Sequence, residues 1–309
     1  MPGRPLLIGT RGSPLALWQA RHVWSRLLEA GGLGEGDAGL NVITTSGDRI
    51  TDQPLRDLGG KGLFTKEIDE ALLRGDADLA VHSMKDLPTE LPDGICIAAV
   101  LPRADVRDAF ISHKAASLAD LPAGAVVGTS SLRRAAQVLR LRPDLRVVDF
   151  RGNVETRLKK LGEGRADATL LALAGLERLD LASHAASVLP TEEMLPAVAQ
   201  GAIGVTCRDD DARTRALLAP LNDPTSAAAV ACERAFLARL EGSCKTPIAG
   251  LAELGGDTLR FRGLILAPDG SEWYAIELQG EARHAWQLGA DAGEELLARA
   301  GPDFMARLV

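Results

Sequence analysis

The chain has 309 residues, more than one hydrophobic core usually organises, so two or three domains are expected. Hydrophobic residues make up 46% and charged residues 25%, as in an ordinary globular protein, while aromatic residues make up only 4%. The formal net charge of −7 excludes a general nucleic-acid binder, which needs a basic surface, but it is compatible with a local basic pocket.

Targeting signals and metal-binding patterns are not found in the sequence. No stretch reaches the roughly 20 consecutive apolar residues of a membrane span, and the first residues lack the apolar run of a signal peptide. The four cysteines, at 96, 207, 232 and 244, form no CxxC pair and have no zinc-like spacing with the five histidines. We therefore expect a cytoplasmic protein with reduced thiols, no metal and no membrane partner.

Over the first two thirds of the chain, apolar runs alternate with helical patterns, which indicates parallel α/β units. The predicted strands are Leu6–Gly9, Leu40–Thr45, Asp78–His82, Ile95–Leu101, Ala109–Ser112, Val126–Gly128, Arg146–Phe150, Ala168–Ala172 and Ala202–Cys207. The predicted helices begin at Pro14, with Ser13 as N-cap, and cover Phe64–Arg74, Ser131–Leu141, Asn153–Leu161, a short segment near Glu177, and Arg213–Leu218.

The last part of the chain has a different pattern. A long Ala-rich helix is predicted over Thr225–Leu240, followed by strands at Leu259–Leu266 and Glu272–Leu278 with a turn at 268–270 between them. A terminal helix covers 281–300. Two strands and two helices in this order predict a small α+β domain.

Three segments, 9–14, 128–134 and 150–157, each follow a predicted strand and open a helix with arginine and small or hydroxyl residues. Free N–H groups at a helix start attract anions, and ligands of parallel α/β sheets lie beyond the carboxyl ends of the strands. One such segment fits a solvated capping loop equally well. Three together predict a site for a polyanion.

Two further loops carry charged residues. The segment 58–64 contains Lys61 among glycines but lacks the GxxxxGK[ST] pattern, so a glycine-rich lid is favoured over a phosphate loop. Lys85 and Asp86 directly follow a predicted strand. They fit either a surface salt-bridging loop or a carboxylate that is directed into a cleft, where it stabilises a cation.

Cys244 lies in a Gly-Ser loop beside Lys245, where a thiol is accessible and the nearby positive charge favours the thiolate. The alternative is an inert small side chain. That alternative suits Cys96, Cys207 and Cys232, which lie within predicted strands or a helix, so Cys244 is the predicted reactive cysteine. His82 is assigned a structural or hydrogen-bonding role.

Together these segments resemble the porphobilinogen deaminases, also called hydroxymethylbilane synthases, over nearly the whole chain. The matching motifs lie at 10–16, 60–64, 82–86, 128–134, 151–153, 196–201 and 242–244. One departure is Asp57, which stands where many relatives carry Lys, although Arg56 could compensate for it.

The resemblance implies two α/β domains like those of periplasmic binding proteins, with a cleft between them, and a small C-terminal α+β domain. The implied boundaries are 1–101 with 202–220 for the first domain, 102–201 for the second and 221–309 for the third, with hinges near 101 and 201. The implied cofactor is a dipyrromethane that a thioether joins to Cys244 in the third domain.

The implied function is a transferase, monomeric in this family, that deaminates porphobilinogen and joins four molecules head-to-tail into linear hydroxymethylbilane for tetrapyrrole biosynthesis. The implied catalytic residues are Asp86, Lys85 and Arg11. The implied cofactor-binding residues are Cys244, Ser83, Lys85, Asp86, Thr129, Ser131, Arg133, Arg134 and Gly152. The implied substrate-binding residues are Arg11, Ser13, Lys61, Arg151, Arg157, Arg178 and Gln200.

Two rival functions fit parts of the same pattern. A non-catalytic anion-binding module would use the same fold and arginine turns, but it gives no reason for Cys244 to lie in a Gly-Ser loop of an added domain. A nucleotide-dependent enzyme depends on the loop of Lys61 alone.

Overall fold

The computed structural model describes residues 5–31, 34, 36–49, 62–240 and 246–308. They form two compact units. The first unit comprises the described residues before 105 together with 202–227, and the second comprises 105–201 and the described residues from 228 onward. Within these ranges, each helix is too short or too polar to span a membrane.

The regular elements alternate along most of the chain. The strands are β1 (Leu6–Thr10), β2 (Ala38–Val42), β3 (Leu79–Ser83), β4 (Ile95–Val100), β5 (Asp108–Ser112), β6 (Val126–Gly128), β7 (Arg146–Val148), β8 (Ala168–Ala172), β9 (Ser187–Val188), β10 (Ile203–Arg208), β11 (Ile248–Gly255), β12 (Thr258–Leu266) and β13 (Trp273–Glu281). The helices are α1 (Pro14–Glu29), α2 (Ser46–Arg49), α3 (Lys66–Arg74), α4 (Leu132–Leu141), α5 (Val154–Gly162), α6 (Leu173–Arg178), α7 (Ala212–Leu218), α8 (Pro224–Arg239) and α9 (Ala285–Ala306).

Two five-stranded sheets, one in each unit, share one topology. The first has the order β2-β1-β3-β10-β4, and the second has the order β7-β6-β8-β5-β9. In each sheet three parallel strands are followed by one antiparallel strand and then an edge strand. The antiparallel strands, β10 and β5, are the first strands after the chain passes from one unit to the other.

Local sequence explains why the helices begin where they do. The Ser13 hydroxyl accepts a hydrogen bond from Ala16 N, and Pro14 occupies the first turn of α1. Ser131 caps α4 and Asn153 caps α5 in the same way. These three caps follow the carboxyl ends of β1, β6 and β7, so the predicted strand-to-helix turns are present.

The α/β prediction for the first two thirds and the α+β prediction for the C-terminal region are confirmed. Three strands of each α/β sheet are parallel, as predicted, whereas β5 and β10 run antiparallel to their neighbours. Apolar runs did not indicate this difference, because they carry no information on strand direction. The C-terminal sheet has three antiparallel strands, and the prediction missed β11. The apolar side of this sheet packs on Ala136 of α4 through Leu251, Leu264 and Leu266.

Gly204 of β10 offers a test of the packing beneath the first sheet. A Cβ at this position would lie 1.9 Å from Sδ of the buried Met84, so Gly204→Ala forces that side chain to move. We expect a loss of roughly 1–3 kcal/mol in the free energy of unfolding, measured by urea denaturation.

Gly39→Ala in the edge strand β2 is the matched control, because the nearest atom to its Cβ is 3.9 Å away. It should leave stability within about 0.5 kcal/mol of the parent. Equal stability of the two variants would contradict the packing described here.

Candidate active site

The first group of site residues lines a pocket at the carboxyl ends of the neighbouring parallel strands β1 and β3. Of the predicted residues, it contains Arg11, Ser13, Ser83 and Asp86. Asp86 ends a 3₁₀ turn, Met84–Asp86, that directly follows β3, and it is half-buried. Lys85, also half-buried, precedes it in the same turn. The sheet thus brings an acid and a guanidinium together from distant parts of the sequence.

Arg11 is held by a carboxylate that the sequence did not identify. Its Nη2 donates to Asp48 Oδ1 at 2.5 Å, and its guanidinium lies 4.2 Å from the centre of the Phe64 ring. Burial disfavours ionisation of Asp48, but hydrogen bonds from Arg11 and Thr45 outweigh it and lower the pKa of Asp48. These two contacts therefore orient the Arg11 side chain.

Two polar contacts complete the wall of this pocket. Gln19 of α1, almost fully buried, hydrogen-bonds through Nε2 to Ser83 Oγ at 2.9 Å. His82 Nε2 lies 3.0 Å from Thr206 Oγ1, which agrees with its predicted hydrogen-bonding role. Burial and the charge of Arg11 lower the pKa of His82 to about 4, so the ring is neutral near pH 7.

The second group of site residues lies at the carboxyl ends of β6, β7 and β8, which are adjacent parallel strands. Thr129 and Ser131 follow β6, Arg151 and Gly152 follow β7, and Arg178 ends the helix after β8. Because these strands run in the same direction, the predicted residues that follow them lie along one edge of the sheet.

Arg133 and Arg134 have a partner that the sequence analysis missed. Arg133 Nη2 donates to Asp108 Oδ2 at 2.8 Å, and Arg134 Nη2 donates to Asp108 Oδ1 at 2.6 Å. Gln200 Nε2 donates to the same Oδ1 at 2.9 Å. Asp108 has no exposed surface, and each arginine is about 5% exposed. The two arginines are thus inner members of an ionic cluster, and their contact with the cofactor stays a prediction.

The electrostatics of this cluster follow from burial and charge. Burial alone would raise the pKa of Asp108, but the two guanidinium groups outweigh it and hold that pKa well below its usual range. Burial lowers the pKa of Arg133, while Asp108 opposes that effect. Two guanidinium charges against one carboxylate leave a net positive charge at the start of α4.

Two of the remaining predicted arginines donate hydrogen bonds to backbone carbonyl groups. Arg157 Nε donates to Gly152 O at 2.8 Å, where Gly152 adopts a φ of 130° that favours glycine. Arg178 Nη2 donates to Gly201 O at 2.7 Å, and burial lowers its pKa to about 10, so it stays charged near pH 7. Arg151 is half-buried.

A buried glutamate fixes the segment that contains Gln200. Glu233 of α8 accepts a hydrogen bond from Ala199 N at 2.5 Å and another from Ala252 N of β11 at 2.8 Å. Ala199 has a φ of 60°, a strained value for a residue with a side chain. Glu233 therefore links the C-terminal sheet to the loop that presents Gln200.

Two predicted residues, Lys61 and Cys244, lie outside the described residues. Among the residues that the sequence analysis missed, Gln19 had a detectable signal, because it is a polar residue on the apolar stripe of α1. Asp48, Asp108 and Glu233 had none, because their partners are distant in the sequence.

Replacing Asp108 with Asn tests the ionic cluster, because it leaves two buried guanidinium groups without an anion. We expect a loss of roughly 3–5 kcal/mol in the free energy of unfolding at pH 7, measured by urea denaturation. Asp144→Asn, which breaks the exposed pair with Arg142, is the control and should cost no more than about 1 kcal/mol.

The difference in the free energy of unfolding between the parent and Asp108→Asn should depend on pH. A carboxyl whose pKa is lower in the folded chain stabilises that chain fully above its usual value of 3.8, and this contribution is lost as the pH falls towards the folded pKa. The stability difference between the parent and Asp108→Asn should therefore narrow only below about pH 4. A difference that is already lost at pH 6 would contradict the cluster.

Comparisons with known proteins agree over nearly the whole chain. Residues 6–216 match the family model described as porphobilinogen deaminase, dipyromethane cofactor binding domain, and residues 227–298 match that of the porphobilinogen deaminase C-terminal domain. The porphobilinogen deaminase of Paracoccus denitrificans is 58% identical, and the alignment covers 98% of this chain and 97% of the relative. The chloroplastic porphobilinogen deaminase of Pisum sativum is 55% identical, with 96% and 82% covered.

Among solved structures, the methionine-binding protein MetQ aligns with a TM-score of 0.46 at 13% identity. The alignment covers 72% of this chain and 90% of that protein.

Proposed function

The chain belongs to the porphobilinogen deaminase family, and on that basis we propose that the residues of both groups described above bind its cofactor and substrate. As a member of this family the protein is a transferase of tetrapyrrole biosynthesis with a dipyrromethane cofactor. Four porphobilinogen molecules are joined head-to-tail into linear hydroxymethylbilane. The identity of 58% over nearly the full length is the observation that carries this proposal.

The cofactor is attached to Cys244 through a thioether. This assignment rests on the Gly242–Cys244 motif and on the family model that ends at residue 298, because Cys244 lies outside the described residues. When bound, the cofactor supplies the pyrrole carbon to which the first substrate molecule is joined. Attachment to Cys244 would keep the reacting pyrrole at the site and so lower the entropy cost of coupling.

The chemistry of the site residues fits such a group. Each pyrrole ring carries acetate and propionate side chains, which require cationic donors, and a ring N–H, which requires an acceptor. The edge of the second sheet supplies Arg151, Arg157 and Arg178, together with the net charge of the Asp108 cluster. The positive electrostatic potential of Arg133 and Arg134 attracts carboxylates even though Asp108 occupies some of their hydrogen-bond donors. Thr129, Ser131 and Gly152 offer hydroxyl and backbone donors beside them.

In the first unit, Asp86 and Arg11 have complementary roles. Arg11, with Ser13 beside it, binds a substrate carboxylate, and its pairing with Asp48 lowers the entropy cost of that contact. Loss of ammonia from porphobilinogen leaves a cation, and the carboxylate of Asp86 stabilises it while accepting the pyrrole N–H. Ser83 and Lys85 precede Asp86 in the chain and orient the same ring system, and Lys61 adds a cation from its glycine-rich loop.

The domain boundaries are proposed as 1–101 with 202–220, 102–201 and 221–309. The chain passes from the first compact unit to the second after residue 104 and returns after residue 201. These positions support the two proposed domain crossings, near 101 and 201. We also propose that the protein is a cytoplasmic monomer that has neither nucleic acid nor membrane as a partner. The pea and rice relatives are chloroplastic by name.

Asp86→Asn tests the proposed catalytic carboxylate, because it keeps the shape of the side chain and removes its charge. The rate of hydroxymethylbilane formation from porphobilinogen should fall at least about 100-fold. The thermal unfolding temperature should stay close to that of the parent, since the residue is only half-buried.

Asp93→Asn is the matched control, because Asp93 is an exposed carboxylate that follows the same strand at a greater distance. It should retain the parent rate. Turnover by Asp86→Asn within a few-fold of that control would exclude Asp86 as the catalytic group.

A further inference from the structure

Two thiols lie opposite each other in the first sheet, although 111 residues separate them in the sequence. Cys96 of β4 and Cys207 of β10 are directly paired in the antiparallel register, and their Sγ atoms are 4.0 Å apart. The sequence predicts inert side chains for both, because they lie within predicted apolar strands.

The two thiols differ in how easily a reagent reaches them. Cys207 has no exposed surface and lies in the core with Val205 and Leu218, and burial, together with the nearby Cys96, raises its pKa to about 12. Cys96 is half-buried on β4, which is the edge strand of the sheet. A small oxidant from solvent therefore meets Cys96 first.

We propose that Cys96 and Cys207 are a modification site, at which hydrogen peroxide converts the thiol pair into a reversible cross-strand disulfide. Peroxide oxidises the Cys96 thiol to a sulfenic acid and releases one water molecule. The Cys207 sulfur then attacks Sγ of Cys96, the S–S bond forms, and the sulfenic hydroxyl leaves as a second water with the Cys207 proton. The two thiols are oxidised by two electrons in total, and one peroxide is reduced.

The local geometry allows the sulfurs to meet. A disulfide needs Sγ atoms about 2.05 Å apart, so the pair must close by about 2 Å through side-chain rotation and a small approach of the strands. The pairing of β4 with β10 shifts register between Val205 and Thr206, next to the cysteine pair. Such an irregularity interrupts the ladder of hydrogen bonds and lets the edge strand adjust.

The position of the cysteine pair in the sheet indicates how the disulfide would affect turnover. Cys207 pairs with Leu79 at the start of β3, whereas Ser83, at the other end of β3, pairs with Ile203 and lines the active-site pocket. The disulfide is thus about 13 Å along the sheet from that pocket, four residues at roughly 3.3 Å each. It should leave turnover intact.

The disulfide should also stabilise the first unit. It closes a loop that contains residues 105–201, the entire α/β part of the second unit, and a long closed loop restrains the unfolded chain strongly. Oxidation would thus protect an active enzyme rather than switch it off.

The experiment treats the purified holoenzyme with hydrogen peroxide at pH 8 and maps its peptides without reduction. We expect a peptide pair linked through Cys96 and Cys207, a rise of roughly 5 °C in the unfolding temperature, unchanged turnover, and reversal of the first two by dithiothreitol. Cys96→Ser should abolish the linked peptide and the temperature rise. Cys232→Ser, which removes the buried thiol of α8, is the matched control and should keep both.

Three outcomes would overturn the proposal. They are conversion of Cys96 to sulfinic acid without a linked peptide, linkage of Cys96 to a cysteine other than Cys207, and a linked product that unfolds at a lower temperature than the thiol form. None of these outcomes requires a substitution at Cys207, whose core position makes a folding defect the expected result of replacing it.

Discussion

The carboxylate of Asp108, shared by Arg133, Arg134 and Gln200, is the interaction on which the geometry of the second unit depends. Two adjacent arginines on the first turn of a helix, where the backbone dipole is already positive, would repel each other in a buried site. Asp108 makes the arrangement possible because β5 runs antiparallel to β8 and so begins beside the carboxyl ends of β6 and β8, where α4 starts. The cluster remains net positive, which suits a site for carboxylates.

In the first unit a carboxylate also holds an arginine, but the pair is smaller and more exposed. Asp48 holds Arg11 through one carboxylate, and both side chains are about a quarter exposed, so this pair is more readily rearranged by a ligand than the Asp108 cluster. In each unit, the proposed ligand-binding residues lie beyond the parallel strands, while a carboxylate from elsewhere in the chain fixes an arginine. Glu233 likewise fixes the loop that contains Gln200, because its carboxylate accepts hydrogen bonds from both this loop and the C-terminal sheet.

Most helices, most strands of the two α/β sheets and the strand-to-helix turns could be predicted from the sequence, because hydrophobic periodicity and capping residues act over a few neighbouring positions. Strand β11 was missed, and the directions of β5 and β10 could not be read, because pairing partners are set by tertiary contacts. The positions of Arg11, Asp86 and Arg151 beyond strand ends could be predicted, because their place in the chain carries a signal. Asp48, Asp108 and the Cys96–Cys207 pair could not be predicted, because each depends on a partner that is distant in the sequence.

Intact-protein mass spectrometry of the purified parent and of Cys244→Ser tests most directly whether this chain builds its product on a covalently held pyrrole primer. We expect the parent to be heavier than its sequence by two pyrrole units and the variant to have the mass of its sequence alone. An adduct retained by Cys244→Ser, or a parent that is active without any adduct, would contradict it.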